Sequence, residues 1–218
     1  MNPAAALTTT LGFRPDSKIW EALPIGFPAL DTLIEGFPRG AISEILGPES
    51  SGRTTLVHSL LTASTAKLEI CAYIDTDDSF DPVSAAAAGV ALSQLVWIRC
   101  GHNAGHALKA ADYLLHAGGF GVVVLDLCQV SPRVANRIPI SYWYRFRLAI
   151  ENTPTILALA GKQSQAKSCA ALMLELERKK THWTGAPGFT LLREVELEAA
   201  SRKPIRSHAA HFQARAIG

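Results

Sequence analysis

Apolar residues in this chain fall into short bursts of two kinds. Ala41 to Leu46, Glu69 to Ile74, Leu95 to Ile98, Phe120 to Leu125 and Thr155 to Ala160 are compact, nearly continuous apolar segments of strand length. Between them, Thr54 to Ala66, Pro82 to Ala88, Gly105 to Ala117 and Pro139 to Glu151 have helical length. Pro82 stands where a first helical turn opens, and Gly89 where that helix stops. Strands with so few polar positions are buried on both faces, so their alternation with helices predicts an α/β fold with a mostly parallel central sheet flanked by helices. Toward the C-terminus the period becomes two. Leu174, Leu176 and Arg178 alternate with Glu175, Glu177 and Lys179, as in a strand with one wet face. Gly188 to Glu198 reads as a further strand after the turn TGAPG, so antiparallel strands are expected there.

The same pattern sets the boundaries. Residues 1–20 mix Ala, Thr and Pro without periodicity and read as a flexible arm, residues 21–198 as one core domain, and residues 199–218 as a basic, Pro-broken tail that orders on a partner. A length of 218 residues suits one sizeable core. With 48% hydrophobic and 18% charged residues, wholesale disorder is excluded, and a net charge of +2 is too mild to demand nucleic acid. Cys71, Cys100, Cys128 and Cys169 are widely spaced, which indicates reduced thiols rather than a disulfide framework or metal cluster. His102 and His106 have metal-ligand spacing but no third ligand and read as a solvated pair. No stretch reaches the roughly 18 apolar residues of a membrane span, and no secretory leader is evident, so a cytoplasmic protein is expected.

The candidate chemistry sits after the first strand. Gly47-Pro48-Glu49-Ser50-Ser51-Gly52-Arg53-Thr54-Thr55 is a glycine-rich loop between a strand and a helix, where backbone N–H groups surround an anion at a helix N-terminus. Thr54 occupies the Mg²⁺-ligand position, and Asp126, at the tip of the GVVVLD strand, is placed to hold Mg²⁺ through water. Arg53 stands where such loops carry lysine. A planar guanidinium keeps the charge but is wider than an ammonium. Asp75, Asp77, Asp78 and Asp81 cluster after the neighbouring strand. Either one of them orients a water, or they cap the helix that opens at Pro82.

GPESSGRTTL, YIDTDDSFDP and VVVLD, with GFPALDTLIEGFPRGAISEI upstream, resemble in order and spacing the RecA family of recombinase ATPases over roughly Trp20 to Arg178. The resemblance implies a RecA-like P-loop core, with Gly47 to Thr55 lining a triphosphate, Thr54 and Asp126 serving Mg²⁺, Asp77 in the place of the catalytic glutamate, and Asp81 near the adenine. It also marks departures. Arg53 replaces lysine, Asp77 is one methylene shorter than glutamate, and Ser84 stands where bacterial recombinases stack a tyrosine on the base. Efficient hydrolysis is therefore not expected, and a bound ATP with Mg²⁺, if the loop takes one at all, acts structurally.

The segments after Asp126 and after the Thr155 strand, where recombinases hold single-stranded DNA, are cut down. Lys162 and Gln163 are the candidates for the glutamine that couples phosphate to DNA. Such a worn core is similar to the ImuA group, RecA-related accessory proteins of the bacterial translesion-synthesis mutasome. That resemblance implies a DNA-damage (SOS) scaffold without strand exchange, with an ImuB-like inactive Y-family polymerase relative and RecA as partners, and with self-association through the LGFRP arm as an option. Two alternatives stand beside it. One is a weak or DNA-stimulated ATPase using Arg53 and Asp77. The other is a DNA-binding module using Arg145 and Arg147, from the aromatic-rich YWYRFR segment, with Arg202, Lys203 and Arg206 of the tail. In that segment Trp143, Phe146 and Ile150 share one helical face and are expected to pack on the sheet, leaving Arg145 outward.

Overall fold

The computed structural model describes residues 20–186 and 189–215, so the expected N-terminal arm lies outside the described residues except for Trp20. In chain order the elements are α1 (Pro28–Ile34), β1 (Ala41–Leu46), α2 (Arg53–Thr65), β2 (Cys71–Asp75), α3 (Pro82–Ala87), β3 (Leu95–Arg99), α4 (Ala104–Ala117), β4 (Val122–Asp126), α5 (Pro132–Ala135), α6 (Ile140–Ile150), β5 (Ile156–Gly161), β6 (Ala170–Ala186), β7 (Phe189–Lys203) and β8 (Ile205–Arg215). Eight strands form one sheet in the order β3-β2-β4-β5-β1-β6-β7-β8. Every pairing from β3 to β6 is parallel, and β6-β7 and β7-β8 are antiparallel. This is the α/β arrangement that the apolar bursts predict.

β1, β2, β4 and β5 are buried on both sides because successive residues point to opposite faces. β3, at the sheet edge, instead leaves Val96 and Trp97 exposed, contrary to the burial expected from its apolar run. Cys71, Tyr73, Val122 and Val124 pack with Leu56, Leu60 and Leu61 of α2. Ala72, Ile74, Val123 and Leu125 pack with Ala107 and Ala111 of α4 and with Trp143, Phe146 and Ile150 of α6. Trp143 and Phe146 are thus core residues, as their helical spacing predicts, and each buried ring contributes roughly 1.5–3 kcal/mol, while Tyr144 of the same helix is exposed. Helix starts follow local chemistry. Asp81 caps α3 by accepting from the Val83 and Ser84 amides at 3.1 and 3.2 Å, with Pro82 in the first turn, and Asn103 caps α4 by accepting from the His106 amide at 3.1 Å.

The C-terminal expectation needs correction. Residues 199–203 complete β7 and residues 205–215 form β8, so the segment read as a tail is sheet within the described residues. Its inward positions Ala210, Phe212 and Ala214 alternate, but two of the three are alanines, which is why no hydrophobic face stands out in the sequence. Phe212 packs on Phe27 with ring centroids 4.8 Å apart, tying β8 to the start of α1.

Candidate phosphate-binding site

β1 delivers the chain into the Gly47–Thr55 loop, and α2 begins at Arg53 with Gly52 as its N-cap in the left-handed region at φ 91°. The two loop glycines are required by close approach. A Cβ at Gly47 would lie 2.5 Å from Ser51 Oγ and 2.6 Å from the Leu176 carbonyl, and one on Gly52 would run into the Leu197 side chain of β7. β7 and β8 therefore form a wall of the loop: Val195, Leu197 and Ala214 line a cavity of about 220 Å³ with Ser50 to Thr55.

A second cavity, of about 440 Å³, brings Arg53, Thr54, Asp81 and Asp126 together with Tyr73, Ser79 and His58. Three of the residues that motif spacing singles out thus meet here with Arg53. Period two explains part of the convergence, because Tyr73 and Asp75 share a face of β2, and Val124 and Asp126 the same face of β4, all toward α2. Arg53 is 7% exposed, and its Nη1 is buried with no hydrogen-bond partner among the described residues, as is Ser51 Oγ. Buried donors without acceptors are costly, so this loop is suited to an anion that accepts from them. The phosphates of a nucleotide fit on that ground.

Asp126 is buried and already engaged. Its Oδ1 accepts from the Cys128 amide at 2.8 Å, and its Oδ2 accepts from the Tyr73 hydroxyl at 2.7 Å, with Ser79 Oγ at 3.4 Å. Two carboxylate oxygens offer about four acceptor positions, so room remains for a metal-bound water. Thr54 and Asp126 would thus hold Mg²⁺ with the nucleotide. Burial, followed by the Asp126 charge, pushes the Tyr73 hydroxyl well above its ordinary range, and the same two causes push the Cys128 thiol up. Burial holds His58 below the usual histidine range.

Asp77 does not join this group. It is not among the residues lining either cavity, and its Oδ1 faces His102 Nδ1 at 3.4 Å. The other carboxylates of its cluster mostly organise backbone. Asp75, fully buried, accepts from the Ser79 and Phe80 amides at 2.9 and 3.0 Å and from Trp97 Nε1 at 3.1 Å. Asp78 pairs with Arg99 at 3.0 Å, and Asp81 also accepts from Ser84 Oγ, which holds its carboxyl below the ordinary value. Helix and turn capping thus accounts for Asp75 and Asp81, while Asp77 and Asp78 face side chains.

The two segments expected to be cut down are short and pinned. Glu44, fully buried in β1, accepts from Ser164 Oγ at 2.7 Å and from the Gln165 and Ala166 amides at 2.6 and 2.8 Å. Gln163 donates to Asn136 at 2.9 Å, joining the segment after β5 to the one after β4, and Lys162 pairs with Glu49 of the loop at 2.9 Å.

Four of the five basic residues singled out for partner or DNA binding have polar partners within the chain, and Arg147 has a ring contact with its Nε left without a hydrogen bond among the described residues. Arg145 pairs with Asp112 at 2.9 Å and covers the Tyr142 ring, and Arg147 covers Tyr144. Arg202 pairs with Glu175 at 2.5 Å, Lys203 donates to the Ser168 carbonyl at 2.9 Å, and Arg206 lies 3.4 Å from Glu35. Arg145 and Arg147 lie on α6, and Arg202, Lys203 and Arg206 lie at the turn between β7 and β8.

Motif spacing misses Tyr73, Ser79, His58 and Glu44. Tyr73 is accessible to the period-two argument, since it sits two residues before Asp75; Glu44 carries no signal beyond a carboxylate inside an apolar strand. No group of three or more candidate metal ligands forms among the described residues, and none of the described helices is long and apolar enough to cross a membrane.

Comparison with known proteins matches the model of the RecA N-terminal domain over residues 8–136, more than half of the chain. Protein RecA of Rickettsia prowazekii (strain Madrid E) is 41% identical over 118 residues, which is 53% of this chain and 34% of that protein. Protein RecA of Borrelia duttonii (strain Ly) is 39% identical over 118 residues, 53% of this chain and 32% of that protein. Protein RecA of Bifidobacterium longum (strain NCC 2705) is likewise 39% identical over 118 residues, covering 29% of its length. The match therefore spans about a third of each relative.

Proposed function

The chain belongs to the RecA N-terminal domain family, and from that premise we propose that it is a RecA-like scaffold of the bacterial DNA-damage response, one that binds nucleotide phosphate without efficient turnover and without strand exchange. The observation that carries this reading is the split between an intact cradle and a displaced catalytic apparatus. The loop glycines and the buried Arg53 guanidinium suit an anion, while Asp77, in the place of the catalytic carboxylate, is turned to His102. A water-positioning group moved by even 1 Å costs on the order of 100-fold in rate.

When bound, a nucleotide would supply the negative charge that Arg53 and the loop amides lack. Arg53 would orient the phosphates, and Thr54 and Asp126 would hold the accompanying Mg²⁺. Glu44 and the Gln163–Asn136 bond keep the segments after β5 and β4 against the core, which supports a role in contacting proteins rather than in gripping a DNA strand. A place in the translesion-synthesis mutasome, with an ImuB-like polymerase relative and RecA as partners and with self-association open, follows from the sequence resemblance to the ImuA group and belongs to the same proposal, as does a cytoplasmic location.

Calorimetric titration with ATP·Mg²⁺, run beside Arg53→Lys and followed by a phosphate-release assay, tests it. Saturable binding by the native protein with negligible turnover is expected, with or without single-stranded DNA. Robust Mg²⁺-dependent hydrolysis abolished by Asp126→Ala would instead make the chain an ATPase.

A further inference from the structure

Tyr73 stands out in the cavity because it ties up Asp126, the carboxylate that the proposed function assigns to a divalent cation. It lies at the centre of β2, on the face toward α2, and is 5% exposed. Its ring packs on Phe80 with centroids 4.4 Å apart, and Phe80 is backed by Trp97 at 5.4 Å, so the phenol has one orientation. In that orientation the hydroxyl donates to Asp126 Oδ2 at 2.7 Å. Ser79 Oγ lies 3.4 Å from the same oxygen, and the Cys128 amide occupies Oδ1. Ser79 is itself held by Asp75, which accepts from its amide and from that of Phe80. A phenylalanine at position 73 would fill the same space without engaging the carboxylate, so the hydroxyl is not needed for packing.

We infer that Tyr73 is a positioning residue that acts as an internal competitor for divalent metal: its hydroxyl and Ser79 occupy Asp126 Oδ2, leave a metal-bound water only the remaining lone pair of Oδ1, and so weaken the metal position. A charge-assisted hydrogen bond in a buried site is among the stronger ones, so its removal is worth about tenfold in metal affinity. The inference rests on reading the cavity as a nucleotide and metal site, and its test separates the two claims by using metal alone.

Mn²⁺ is titrated into the native protein, Tyr73→Phe and Asp126→Asn without nucleotide, with the free ion followed by electron paramagnetic resonance. Tyr73→Phe is expected to bind Mn²⁺ about tenfold more tightly than native, and Tyr73→Phe combined with Asp126→Asn to lose the gain. Equal or weaker affinity in Tyr73→Phe, or no Mn²⁺ binding by either protein, overturns the inference. Should the phenylalanine variant not fold, Ser79→Ala gives the same comparison with a gain of about twofold for a long hydrogen bond, and no gain there also overturns it. A parallel series with ATP present reads the nucleotide claim separately: a Mn²⁺ gain without ATP binding upholds the Tyr73 competitor and removes the nucleotide.

Discussion

Replacing Arg53 by methionine should make the ligand-free protein more stable while removing its affinity for phosphate. Arg53 is 7% exposed, and its Nη1 has no acceptor among the described residues, so folding strips water from a donor and returns nothing. A buried unsatisfied polar group costs about 1–3 kcal/mol, and more when charged. Methionine has a similar reach and no donor to desolvate. The substitution also removes the attraction between Arg53 and Glu49, but that term is small, because the Glu49 carboxylate is exposed and already paired with Lys162 at 2.9 Å. At about 2–4 °C per kcal/mol for a chain of this size, the variant should melt roughly 2–12 °C higher by scanning calorimetry in ligand-free buffer. With nucleotide at a hundred times its dissociation constant the native protein should gain about 2.7 kcal/mol and the variant nothing, so the order of melting temperatures narrows or reverses. A methionine variant that melts at or below the native temperature without ligand would show that the guanidinium is satisfied, and the argument for an anion at this loop would fall.

Two further predictions concern the walls of the site. Gly52→Ala combines a left-handed backbone at φ 91° with a Cβ driven into Leu197, and should cost about 2–4 kcal/mol in urea denaturation. Leu197→Ala alone should cost about 2–5 kcal/mol through its cavity, yet the double variant should cost clearly less than the sum, and strict additivity would refute direct contact between loop and β7. His58 has its folded-state value lowered by burial, so the unfolded chain takes up the proton first as pH falls. Stability is then fully present above the ordinary histidine value and declines as pH drops through it toward the lower folded value. Chemical denaturation between pH 7 and 5.5 should show a steeper loss for native than for His58→Leu, and parallel curves would count against it.

Much of the core is legible because two simple periods carry it. Ala41–Leu46 is delimited to the residue, and Asp126 and Thr54 meet as loop and strand-tip spacing requires. What spacing does not deliver is competition among partners. Asp77 sits in the right place along the chain, but His102, distant in sequence and just before α4, takes it. Arg145 faces outward as its helical position predicts, yet Asp112 of α4 neutralises it. β8 is hidden because alanines can face a core without signalling it, and Phe212 alone makes too thin a stripe.

These misses share a direction that bears on function. Three of the long-range partners that sequence does not supply engage groups that the proposed reading assigns to chemistry or DNA: Tyr73 on Asp126, His102 on Asp77, and Glu44 on the segment after β5. A single such contact would be unremarkable in a folded domain. Three of them, from different elements, on the carboxylate proposed for metal, the carboxylate proposed for positioning water and a segment that the resemblance assigns to DNA, support the proposal of a phosphate-binding loop whose neighbouring acidic groups are held by other partners. On that argument Asp77→Glu alone should not restore turnover, because His102 would still compete for the longer carboxylate. Asp77→Glu combined with His102→Ala and Tyr73→Phe is the smallest set that frees both carboxylates. Phosphate release from that triple variant no faster than from the native protein would mean that the obstacle is Arg53 itself.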